Sequence, residues 1–208
     1  MFPTPRCCRP LIGAVRSRKA EDAGMANPIH VAVVKQGIDA IQDWRGKNPG
    51  VVFDLVDADL HRISLVDGDF CEPDFWGNLS LKSADLSYAR LSGADLTNGY
   101  LCIVKLFAAD LRRAKLAWAY LPRADLRQAN FEGADLTGVD LRNADLTGAR
   151  LIGAQLAKAD LHRANLSKAD LRDADLSEVK NLTQRQVDVA RADSSTRLPN
   201  GIQRRGTG

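Results

Sequence analysis

Residues 124–136 read ADLRQANFEGADL, and the spacing within this stretch decides the fold. A large apolar side chain returns every five residues, at Leu126, Phe131 and Leu136, each two residues after an Ala and one after an Asp or Asn. Followed outward, the cadence runs from Ala58 to Glu178. With the large apolar position called i, counting in fives from Leu60 to Phe75 and from Leu81 to Leu176 gives 24 units, 21 with Leu and three with Phe at i. Position i−2 is Ala in 17 of them. Such regularity has to be read before any local propensity.

A five-residue period is foreign to the α-helix. At about 100° per residue, five residues advance about 500°, and the leucines would wander around the cylinder instead of forming a stripe. In extended backbone, i−2 and i share one face while i−1 points the other way. Positions i+1 and i+2 must then turn the chain. The pairs Thr97-Asn98, Glu132-Gly133, Thr137-Gly138, Arg142-Asn143 and Thr147-Gly148 supply residues that tolerate tight turns. A short extended piece and a corner, repeated, wind the chain into a β-solenoid with Leu and Ala inside.

Unit by unit, these residues resemble the pentapeptide-repeat family, whose motif is A(D/N)LXX, over roughly 60% of the chain. The resemblance implies an all-β fold, a right-handed quadrilateral parallel β-helix with four units, or twenty residues, per coil. On that basis the 24 units make six coils, the first from Leu60 to Phe75 and the second from Leu81 to Leu96. The spacing of six between Phe75 and Leu81 is expected to bulge at a corner.

The two ends depart from the repeat. Residues 1–24 are rich in Arg and Pro without periodicity and are expected to be a disordered or non-native leader. The run MANPIHVAVVKQGIDAIQDWRGKNP from Met25 resembles the opening of many bacterial members of the family, so Met25 is expected to be the natural start. A genuine disordered tail and a basic targeting peptide remain the alternatives. Residues 25–57 are expected to form an N-terminal helix and cap. The helix spans 27–45, with Asn27 capping, Pro28 in the first turn, and Val31, Val34, Ile38 and Ile41 as its apolar stripe. The repeat body occupies 58–178 and a C-terminal helical cap and tail occupy 179–208. There Thr183 and Gln186 form a capping box, opening a helix expected to reach about Ala192. Both caps are physically required, because an open end exposes apolar ladders and unpaired backbone.

Charge is unevenly placed. Of the 208 residues, 29 are Lys or Arg and 26 are Asp or Glu, a formal +3. The body holds 15 basic and 18 acidic residues, while the segments before and after it carry +2 and +4. Cys7, Cys8, Cys71 and Cys102 show no CxxC pair and no disulfide spacing, and three His lie in separate parts of the chain, so no metal site and no cofactor are expected. The apolar run Leu11 to Val15 is too short for a signal-peptide core or a membrane span. A cytoplasmic location is the expectation that follows.

No catalytic motif appears, and the many Asp at i−1 serve the repeat, which needs a short polar residue able to bond nearby backbone. Function is therefore sought on the outer wall. Around coil three, Tyr100, Cys102, Ile103, Phe107, Ala117 and Trp118 fall at outward positions, with Tyr120 one coil above Tyr100. Tyr100, Phe107, Trp118 and Tyr120 are the candidate partner-binding residues. The expected function is a non-enzymatic, rigid protein-interaction or scaffold module for an unidentified protein partner, with a homo-dimer as a further option. The resemblance implies an alternative, a DNA mimic that binds DNA gyrase or topoisomerase. Against it, Asp110, Asn130, Arg150 and Asp170 succeed one another on one face and interrupt any acidic column. Nucleic-acid binding is disfavoured, since no basic stripe with interleaved aromatic residues appears.

Overall fold

The computed structural model describes residues 26–48, 51, 53–55, 58–60, 63–64 and 84–204. Its body is a stack of coils in which each residue at i−1 from Asp85 to Asp160 pairs in parallel with the residue twenty positions on. Four columns of such pairs run along the stack, for example Asp125↔Asp145, Asp110↔Asn130, Asp135↔Gln155 and Tyr100↔Tyr120. Within a column the Leu126 N–H donates to the Asp145 carbonyl at 2.8 Å, and the Asp145 N–H donates back to Ala124 at 3.0 Å.

Every one of these pairs is an isolated bridge. Among the described residues no strand forms, and the only regular elements are three helices, α1 (Pro28–Lys35), α2 (Ile38–Lys47) and α3 (Gln184–Asp188). This corrects the expectation of an all-β quadrilateral β-helix. The pentad explains the difference, because one residue in five is free to bridge before the next corner begins. The corner closes through i+3 to i, as in the Ala129 N–H to Leu126 carbonyl bond of 3.1 Å. Position i+2 takes a left-handed φ, as at Gln128 (59°), Asn143 (59°) and Gly148 (68°). A chain that turns this often never accumulates two consecutive bridges.

Inside, the apolar ladders are closed. Leu126, Phe131, Ala134 and Leu136 are at most 1% exposed, and the Leu and Ala of the other coils share one continuous core with them. Each buried Leu contributes roughly 1.5–3 kcal/mol, which offsets the cost of ordering so many corners.

The first coil joins the stack in a different register from the one the spacing suggests. Asp54 bridges Asp85, Asp59 bridges Arg90 and Ser64 bridges Asp95, an offset of 31 residues. Leu60 therefore sits beneath Leu91, where twenty-residue counting places it beneath Leu81, and Leu55 belongs to the stack. Leu65 to Phe75, the expected bulge after Phe75, the leader 1–24 and Met25 lie outside the described residues.

The N-terminal segment is two helices where one was expected. Gly37, at φ 94°, separates α1 from α2, and α2 continues through Gly46 to Lys47. The Asn27 side chain caps α1 by accepting the Ile29 N–H. Val34 and Ile41 enter the core of the coil stack. His30 fixes the junction: its Nδ1 accepts the Asp54 N–H at 2.9 Å, while its ring meets Trp44 and Phe53 edge-on at 5.0 and 5.5 Å.

At the other end, α3 stops at Asp188, short of the expected Ala192. The Thr183–Gln186 capping box is present, and the Gln186 amide also donates to the Leu161 and Ala164 carbonyls at 2.8 and 2.9 Å. The chain then returns to the stack, where Arg191 bridges Asp170 and Arg197 bridges Asp175.

Candidate functional site

Two of the four candidate aromatic residues, Tyr100 and Tyr120, come together. Tyr100 and Tyr120 succeed one another in one column, with ring centroids 6.0 Å apart. Trp118 occupies the corner leading into Tyr120. Tyr100 and Trp118 are each 55% exposed. The Trp118 ring lies over the backbone of Gly138 in the coil above, so closely that a Cβ there would fall 2.4 Å from Cε3. A glycine at 138 thus positions Trp118.

Phe107 does not join them. It lies beyond the next column, at the corner that follows Lys105, and packs edge-on against Tyr88 with centroids 5.3 Å apart. The Arg127 guanidinium stands over the Phe107 ring at 5.4 Å while also holding Asp125. Tyr88, half exposed, was missed in the sequence, although its corner position in coil two was the available signal.

Two other expectations for this wall change. Cys102 is buried and held in a disulfide whose partner lies outside the described residues, so the spacing argument against disulfides fails for this cysteine. Ile103 beside it takes φ 54°, a left-handed conformation that is an outlier for a β-branched residue.

The carboxylates are neutralised locally. In the recurring Asp-Leu-Arg segments, Arg112, Arg127, Arg142 and Arg172 each fold back and grip the Asp two residues earlier through Nε and Nη2. The same Asp accepts the backbone N–H of its Arg, as in Asp140 to Arg142 at 3.0 Å. The Arg127 hydrogen bond holds the Asp125 carboxyl below the usual range despite partial burial, and Arg172 does the same for Asp170. Between coils, Lys105 pairs with Asp85 and Lys115 with Asp95, each at 3.4 Å.

These observations correct the expected function. A rigid β-solenoid scaffold requires continuous strands that the walls lack, and the gyrase-binding DNA mimic requires an uninterrupted acidic column. Among the described residues there is also no group of His, Cys, Asp and Glu able to hold a metal ion, and no helix is long and apolar enough to cross a membrane.

The family model for pentapeptide repeats matches in eight copies, over residues 76–99, 109–148 and 144–180. Among solved structures, a pentapeptide repeat protein from Nostoc PCC 7120 is 33% identical, with 52% of this chain and 84% of that one covered and a TM-score of 0.28. One from the cyanobacterium Cyanothece 51142 is 25% identical, over 67% and 87%, with a TM-score of 0.30. The plasmid-mediated fluoroquinolone resistance protein QnrB1 is 20% identical, over 67% and 77%, with a TM-score of 0.40. No curated protein matches the chain.

Proposed function

The chain belongs to the pentapeptide-repeat family, whose proteins are structural and not enzymes, and we propose that it works by binding a protein partner through Tyr100, Trp118 and Tyr120. The observation that carries this reading is the pairing of the Tyr100 and Tyr120 rings, 6.0 Å apart, with an exposed Trp118 at the corner that leads into Tyr120. Tyr100 and Trp118 are more than half exposed, and apolar surface of this kind is what partners bury. Tyr and Trp supply large contact area with few rotatable bonds and are the residues that most often dominate binding energy.

The column itself suggests the partner's chemistry. Above Tyr100 and Tyr120 it continues through Asp140 and Asp160, so a partner segment with apolar side chains at one end and Lys or Arg at the other would match it. Nucleic acid is no part of this reading, because the arginines at i+1 are already engaged by carboxylates.

The test begins with a photo-crosslinking residue at Tyr100 in the native host, followed by titration of the purified crosslinked protein. Substituting Tyr100, Trp118 and Tyr120 by Ser is expected to weaken that complex by at least roughly a hundredfold, with the free protein still folded at the assay temperature. Undiminished affinity refutes the reading. A dimer that the same substitutions dissociate assigns the patch to a second copy of the chain.

A further inference from the structure

Among the described residues the coil stack leaves an edge open on the side that faces α3. On the column of Asp125, Asp145 and Asn165, every coil lends its upper N–H groups to the coil above. Arg123 donates to the Arg142 carbonyl and Asn143 to His162, while Leu126 donates to Asp145 and Leu146 to Asn165, all between 2.8 and 3.0 Å. The next members of these two series are the N–H groups of Arg163 and Leu166. Neither has an acceptor among the described residues, because the backbone leaves the coil at Asn181 and passes into α3. The edge is closed again at Lys168, whose N–H donates to the Val189 carbonyl at 2.8 Å.

Between that open edge and α3 lies a cleft of about 490 Å³ lined by both residues. The Arg163 and Arg185 side chains also line it, and among the described residues neither makes an ion pair or a side-chain hydrogen bond. His162 borders it as well, and no carboxylate does. The arginines at i+1, by contrast, are clamped by Asp, as Arg142 is by Asp140. The carbonyls nearby are already satisfied, since Gln186 donates to Leu161 and Ala164. Along the open edge this leaves the two N–H groups and the Arg163 and Arg185 guanidinium groups, beside the Asn165, Ser167, Asn181 and Thr183 side chains that also line the cleft.

The geometry points to a binding site for a phosphorylated small molecule. Its phosphoryl oxygens take the place of the two carbonyls that the coil above would have supplied. Backbone N–H groups on an exposed edge, reinforced by two guanidinium groups, form the kind of concavity that holds phosphate. The volume exceeds that of phosphate alone and falls in the range of small-ligand sites, so an organic portion fits beside the charged end.

The test is a titration of the ¹⁵N-labelled full-length protein with inorganic pyrophosphate, and separately with ADP, at ionic strength balanced by chloride. Saturable shifts at the Arg163 and Leu166 amides are expected. Changing Arg163→Gln together with Arg185→Gln should weaken binding by roughly tenfold or more while leaving the melting temperature in place. Arg123→Gln, two coils below in the same series but with its N–H engaged, should leave affinity unaltered. Tighter binding of ADP than of pyrophosphate identifies an esterified ligand, and equal binding identifies the free anion. Amides that stay unmoved, or that respond equally to chloride, overturn the proposal. Should the double variant fail to fold, the amide shifts of the unaltered protein decide the matter.

Discussion

Gly138→Ala tests the contact between the Trp118 ring and the coil above it. Two costs add at this position. The backbone is at φ 67°, where an L-residue with a Cβ loses about 1 kcal/mol relative to Gly. The new methyl would also stand 2.4, 2.6 and 2.7 Å from Cε3, Cζ3 and Cδ2 of Trp118, so the indole must swing away. Trp118 is 55% exposed, which leaves less than half of its surface to lose. If about 60 Å² is uncovered, the loss at 25 cal/mol per Å² is about 1.5 kcal/mol. The sum is a destabilisation of about 2.5 kcal/mol.

Gly153 supplies the control. Its φ of 66° is nearly the same and a Cβ there meets nothing within 4 Å, so Gly153→Ala should cost only the backbone share, about 1 kcal/mol. Urea unfolding followed by far-UV circular dichroism measures both. Hydrogen exchange at the Gly138 amide, which donates to Ala157 at 2.7 Å, reports the local effect if the stack does not unfold in one step. In a Trp118→Ala background, Gly138→Ala should fall to the cost of the control, giving a coupling of about 1.5 kcal/mol. Equal costs for Gly138→Ala and Gly153→Ala in the unaltered background would refute the placement of Trp118, and with it the shape of the patch.

Two further outcomes test the body and its charges. Leu136 is 1% exposed in the core whereas Thr137 stands at a corner, so Leu136→Asp should abolish folding and Thr137→Ala should move the melting temperature by no more than a few degrees. Asp125 and Asp170 have carboxyls held below their unfolded range by Arg127 and Arg172, so their contribution is fully present above about pH 4 and is lost as the pH falls through the lowered values. Asp125→Asn should therefore make the acid limb of a stability–pH curve shallower while leaving its shape above pH 5 alone. An unchanged acid limb would mean that the Arg127 clamp does not persist in solution.

The sequence by itself determined which way each side chain faces. The order Ala, Asp, Leu, corner, corner is local, and it sends Leu126 and Ala134 inward and Asp125 outward whatever lies above them. The caps were legible for the same reason, since Asn27 and Thr183 act on N–H groups only two or three residues away. Only the tertiary structure decided what is stacked on what. That depends on where the chain stands twenty or more residues later, a closure no local pattern encodes. The 31-residue offset beneath Leu91, the resting of Trp118 on Gly138, and the distance of Phe107 from Tyr100 and Tyr120 all follow from it. So do the unpaired N–H groups of Arg163 and Leu166, which exist because α3 takes the place of one more side of the coil. The absence of strands among the described residues is, by contrast, local in origin, because the corners on either side of each extended residue leave it no room to grow into a strand.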